Sequence, residues 1–107
     1  MKTVCFVCRH GVGSSNDERL AFERYLKRMG IKNVKATNTG TEFRPAYHRE
    51  AIEAADIIVT MFEDVEPAIR KINPNALILN IGALYAEARG RYSEIYSFLC
   101  SCQLESV

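Results

Sequence analysis

No stretch of this 107-residue chain is apolar for as many as ten residues, so the sequence offers no membrane-spanning helix. The N-terminus also lacks the long hydrophobic region of a signal peptide, and a cytoplasmic location is the expectation. An excess of charge of one sign is missing too. Fourteen lysines and arginines stand against thirteen acids, a net charge of +1. That balance gives no field that argues for nucleic acid or a membrane surface. Internal repeats, low-complexity tracts and linkers are absent as well. What remains is the composition of a globular protein, 48% hydrophobic and 25% charged. The length suits one domain, 1–107, whose core needs no disulfide or metal staple.

Four cysteines raise the question of zinc or a disulfide. Cys5 and Cys8 have C-x-x-C spacing but fall in a stretch that reads as a strand. Residues three apart on a strand point to opposite faces. Cys100 and Cys102 are two apart, which on a helix also separates them. Reduced thiols and no metal are the expectation.

Lys2 to Cys8 is a short run rich in valine and phenylalanine, the pattern of a buried parallel strand. Ser15 or Asn16 can cap a following helix, in which Phe22, Tyr25, Leu26 and Met29 share a face and Gly30 supplies the stop. Val34 to Thr37 is a second, shorter strand, followed by the polar stretch "NTGTEFRP". His48 to Ala55 reads as a short helix, with His48 on the surface near its start. "DIIVTM", 56–61, is a third strand. Pro67 suits the first turn of a helix whose Val65, Ala68, Ile69 and Ile72 lie on one side. "ALILNI", 76–81, is the fourth strand. Tyr92, Ile95, Tyr96 and Leu99 form the buried stripe of a last helix.

Strands alternating with helices predict an α/β fold with a four-stranded parallel sheet in the order 2-1-3-4, a flavodoxin-like half flanked by helices. Ligands of such sheets bind beyond the carboxyl ends of the strands. Segments 9–15, 38–45, 61–64 and 80–83 are expected there, with Cys8 at that edge.

The loop after Cys8 lacks any carboxylate as far as Asn16. A glycine-containing turn leading into a helix presents backbone N–H groups, with the positive end of the helix behind them. Such a nest suits a phosphate-sized anion. Gly11 and Gly13 can take positive φ and leave the pocket unfilled. Ser14 and Ser15 can donate hydrogen bonds to the anion or to the sulfur. The same donors favour thiolate at Cys8, making it the candidate nucleophile for phosphoryl transfer. Arg9, His10, Gly11, Val12, Gly13, Ser14 and Ser15 are therefore the candidate phosphate-binding residues. Arg9 either adds positive charge or points to water, and His10 reads as exposed in the loop rather than catalytic. A plain strand-to-helix connector around an inert cysteine is the competing reading.

"VCRHGVGSS" resembles the phosphorylation loop of the cysteine-type enzyme IIB components of the sugar phosphotransferase system. There the pattern is C-x-x-G-x-G-S-S, which Cys8, Gly11, Gly13, Ser14 and Ser15 match. The resemblance implies a phosphocysteine at Cys8, charged by a phosphohistidine donor protein and discharged to sugar at a membrane transporter component. The layout of the whole chain resembles the low-molecular-weight protein tyrosine phosphatases, on "FVC" before the loop, "TGT" at 39–41 and "AADIIVTM" at 54–61. That family's signature is C-x-x-x-x-x-R-S, and its arginine position is Ser14 here. Its general-acid aspartate lies late in the chain, where this sequence has no aspartate after Asp64. Only Glu87 is left as a stand-in, and nothing in its context recommends it. The resemblances imply a phosphocysteine carrier first, a weak or inactive phosphatase-like protein second, and a non-catalytic anion-binding or interaction domain third. None of them requires a cofactor.

Overall fold

A computed structural model describes residues 2–9, 13–42, 45–61, 63–81, 92, 93 and 95–97. Four strands, β1 (Lys2–Val7), β2 (Val34–Thr39), β3 (Ile57–Thr60) and β4 (Ile78–Asn80), form one sheet in the order β2-β1-β3-β4. Every pairing is parallel. The helices are α1 (Ser14–Arg28), α2 (Pro45–Ala54) and α3 (Glu66–Ile72), with a 3-10 turn over Glu63–Val65 before α3. The described residues of the closing segment, 92, 93 and 95–97, are helical. This is the expected single-domain α/β architecture and strand order. Among the described residues no helix is long and apolar enough to cross a membrane.

The two-residue period of β1 divides the core. Val4, Phe6 and Cys8 face α1 and the closing helix, where they meet Phe22, Leu26, Tyr92 and Ile95. Cys5 and Val7 face the other way, toward Ile52 of α2 and Ile69 of α3. The two thiols are therefore on opposite sides of the sheet, as their spacing predicts. Cys100 and Cys102 lie outside the described residues, as does Leu99. Burial pushes the Cys5 thiol up to about 11, opposed in part by the neighbouring Thr37 hydroxyl. Phe22 joins the layers, with ring centroids 5.4 Å from Phe6 and 5.3 Å, edge-on, from Tyr92. The Tyr92 hydroxyl donates to the buried Glu18 carboxylate of α1.

Several boundaries differ from the sequence reading. β2 runs two residues past Thr37, because Asn38 and Thr39 pair with Phe6 and Val7. α2 starts at Pro45 and ends at Ala54, since proline is pre-shaped for a first helical turn. α1 starts at Ser14 with Gly13 as N-cap and no side-chain cap. Ser15 is inside the helix and caps nothing. Gly30 does end it: at φ +70° its N–H donates to the Lys27 carbonyl (3.2 Å), and Ile31 N–H donates to the Leu26 carbonyl (2.9 Å). This reversal satisfies two carbonyls of the last turn and needs a left-handed residue.

Candidate functional site

β1 delivers Cys8 to the carboxyl edge of the sheet, between β2 and β3. Its N–H donates to the Thr39 carbonyl at 3.2 Å, which fixes the residue just beyond the strand end. The side chain is 7% exposed, so the sulfur lies at the boundary between the core and the loop. α1 begins six residues later and brings the fully buried Ser15 back over the strand. Cys8 Sγ and Ser15 Oγ are 3.0 Å apart. As a thiol, Cys8 donates to this oxygen; as a thiolate, it accepts the hydroxyl proton. The second arrangement is charge-assisted and the stronger of the two. The first N–H groups of α1 have no partner within the helix, so its positive end begins beside this contact.

The next strand connection is tied to this edge by its backbone. Thr41 and Glu42 N–H groups both donate to the Arg9 carbonyl at 2.9 Å. Behind them stands His48, 6% exposed, which corrects the expectation of a surface residue. Its Nε2–H donates to the Glu42 carbonyl at 2.7 Å. Its Nδ1 accepts from the Thr39 hydroxyl at 2.7 Å and from the Gly40 N–H at 3.2 Å. Those partners assign the proton to Nε2. The sequence carried one clue. His48 lies one turn before Ile52 on the same face of α2, and Ile52 is fully buried.

Arg9 turns its guanidinium to Asp64, in the 3-10 turn beyond β3. The hydrogen bond and charge of Asp64, then the charge of Glu42, hold it even further above its ordinary value. Both partners are well exposed, with side chains 60% and 46% accessible. The positive charge of Arg9 is thus shared with two acids before any anion arrives. Segment 61–64 was expected at this edge, but the pairing of Asp64 with Arg9 was not, because it spans 55 positions.

Gly13 has φ −103°, which corrects the expectation of positive φ there. A Cβ built on it meets nothing within 4 Å. His10, Gly11 and Val12 lie outside the described residues, as does Glu87. Of the expected gathering, residues 8, 9, 13–15, 38–42 and 64 meet around the head of β1. Ile81 N–H joins β4 to the Thr60 carbonyl at 2.9 Å, and 82 and 83 lie outside the described residues.

A parallel sheet with a cysteine at its switch point, facing a serine of the first helix, defines a cysteine-loop α/β domain. No family model and no curated protein sequence matches the chain. Solved structures do. YfkJ from Bacillus subtilis superposes with a TM-score of 0.68 at 15% identity, over 100% of this chain and 98% of that one. A YwlE mutant from the same organism gives 0.61 at 15% identity, covering 76% and 72%. A low-molecular-weight protein tyrosine phosphatase from Bacillus subtilis gives 0.59 at 16% identity, covering 74% and 69%. The chain has the low-molecular-weight phosphatase fold.

Proposed function

We propose that this protein is a phosphatase-like domain that captures a phosphoryl group on Cys8 and hydrolyses it poorly. The observation that carries the reading is the 3.0 Å contact between Cys8 Sγ and Ser15 Oγ at the head of α1. In the signature C-x-x-x-x-x-R-S, Ser15 holds the place of the final serine. Its hydroxyl steadies the thiolate, both as the attacking nucleophile and as the leaving group of the second step. In the first step the S–P bond forms as the bond from phosphorus to the leaving oxygen breaks. That oxygen takes its proton from solvent, because no general acid is assigned. Ser14 stands where the signature has arginine, so no bidentate guanidinium grips the equatorial oxygens. Losing an anion clamp and a general acid together costs several powers of ten in rate.

The loop pattern C-x-x-G-x-G-S-S supports a second reading, a carrier in the manner of enzyme IIB. It shares the phosphocysteine but passes the group on, from a phosphohistidine donor to a membrane transporter component. Both readings place the protein in the cytoplasm. One experiment tests the shared intermediate and then separates the two. The protein is incubated with phosphoramidate, whose P–N bond stands for phosphohistidine, and with p-nitrophenyl phosphate, and is read by mass spectrometry without acid. A phosphoryl adduct on Cys8, absent in Cys8→Ser, is expected from at least one donor, with hydrolysis close to background. An adduct from phosphoramidate alone favours the carrier. Brisk turnover of p-nitrophenyl phosphate that vanishes in Cys8→Ser overturns the poor-hydrolysis claim. No adduct from either donor leaves a non-catalytic anion-binding or interaction domain.

A further inference from the structure

A groove of about 540 Å³ lies at the far end of the molecule's open edge, remote from Cys8. The Gly30 reversal forms its corner by folding Ile31 back over Leu26, beside Val34 and Ala36 of β2. Those four side chains make an apolar floor, of which Ile31, Val34 and Ala36 are only half-buried. Lys27 and Lys32 stand beside it, and Lys35, between Val34 and Ala36, projects from the opposite face of β2; all three are exposed. No carboxylate among the described residues forms an ion pair with any of the three. The acid in the lining, Glu23, is already engaged by Arg19. A chain with a net charge of +1 thus places along one strand edge three cations that no described acid neutralises.

Among the described residues the strip is also an open strand edge, β2 being the last strand on its side of the sheet. Lys2 N–H donates to the Asn33 carbonyl, and Cys8 N–H to the Thr39 carbonyl, at the two ends of the β1–β2 ladder. Alternate residues of a parallel strand turn their backbone groups to the same neighbour. Lys35 and Thr37 therefore bond to β1, and Val34 and Ala36 turn their N–H and C=O groups outward. A lone lysine on such an edge discourages pairing. Three lysines along one edge, two beside the apolar floor and one on the opposite face, do more, since they reject a basic or neutral strand and favour an acidic one.

We propose that the edge of β2 at Val34–Ala36 docks an extended acidic segment of a partner protein, added as a fifth strand. Its backbone pairs with the outward groups of Val34 and Ala36. Its apolar side chains settle on Leu26 and Ile31, its alternate carboxylates face Lys35, and Lys27 and Lys32 add positive charge at the rim of the groove. The site is separate from Cys8. Val34 stands five residues before the head of β2, roughly 16 Å along the strand.

The test uses a fluorescein-labelled hexapeptide alternating glutamate with valine, followed by anisotropy and by amide shifts of the full chain. Saturable binding is expected, with shifts concentrated in 26–36. Affinity should fall roughly tenfold or more in the double variant Lys32→Glu, Lys35→Glu, and with rising salt. A hexapeptide of the same sequence carrying alternate backbone N-methyl groups should not bind, because it keeps the charge and loses the ladder. Cys8→Ser should bind as the wild type does, which separates this site from the phosphoryl chemistry. The proposal fails if the N-methylated peptide binds equally or if the charge-reversed variant is unaffected. It also fails if shifts scatter over all lysines, or if an oligonucleotide or anionic vesicle outcompetes the peptide at 26–36.

Discussion

Ser15 Oγ sits 3.0 Å from Cys8 Sγ, seven residues along the chain and across the gap between strand and helix. The contact links a local sequence spacing to the chemistry of the sulfur. Ser15 is fully buried, so water does not readily replace its hydroxyl. Ser15→Ala should slow iodoacetamide alkylation of Cys8 at neutral pH by roughly tenfold, the worth of one hydrogen bond to a charged group. The measurement needs Cys5, Cys100 and Cys102 replaced by serine. An unchanged rate would show that the hydroxyl does nothing for the thiolate.

Cys5 gives a contrasting expectation on the other face of the sheet. Its thiol rises from an ordinary value of 9.0 to about 11 on burial. A group raised by folding leaves stability whole below its unfolded value. As pH climbs from about 9 through 11, the unfolded chain loses the proton first and stability falls. The gap corresponds to roughly 2–3 kcal/mol. Urea denaturation of the wild type should lose about that much more than Cys5→Val over this range. Other titrating groups cancel in the comparison. Parallel pH profiles would mean that Cys5 meets solvent in the folded protein.

The contrast between these thiols was legible in the sequence, because a strand's two-residue period separates positions 5 and 8 without any structure. Strand order was legible for a similar reason, since alternating strands and helices leave few topologies. The misreadings share a cause. Asn38 and Thr39 are polar and read as loop, yet β1 beside them still has ladder groups at Phe6 and Val7 to fill. His48 reads as surface until its three partners come together from β2 and the following turn. Arg9 and Asp64 meet only because β1 and β3 are neighbours in the sheet. Contacts made by topology leave no local trace.

His48 fastens the 39–42 segment, so its removal should be felt by the backbone there. His48→Ala withdraws the acceptor of the Gly40 N–H and the donor to the Glu42 carbonyl. With the acceptor of the Thr39 hydroxyl also gone, the cost should be about 2–4 kcal/mol, from three lost bonds and a cavity beside Ile52. Native-state hydrogen exchange should show Gly40 and Glu42 losing protection before the amides of β1 and β3. Uniform loss across the sheet would mean that His48 supports the whole core rather than this segment.

Asp64 sets how far Arg9 can serve an anion. The ion pair is well exposed, so breaking it should cost stability less than about 1 kcal/mol. Its effect on binding should be larger. Asp64→Asn removes a negative charge from the rim and leaves the guanidinium, among the described residues, with Glu42 as its opposing acid. Phosphate affinity, followed by amide shifts of residues 9 and 13–16, should rise several-fold at low salt and less at high salt. Arg9→Lys should change it little if backbone groups of the α1 N-terminus dominate. The two variants together separate the sources. A gain in Asp64→Asn that disappears when Arg9→Lys is added assigns the anion to the guanidinium. A gain that survives assigns it to repulsion by the carboxylate. No change in either variant places phosphate away from this rim and removes Arg9 from the candidate site.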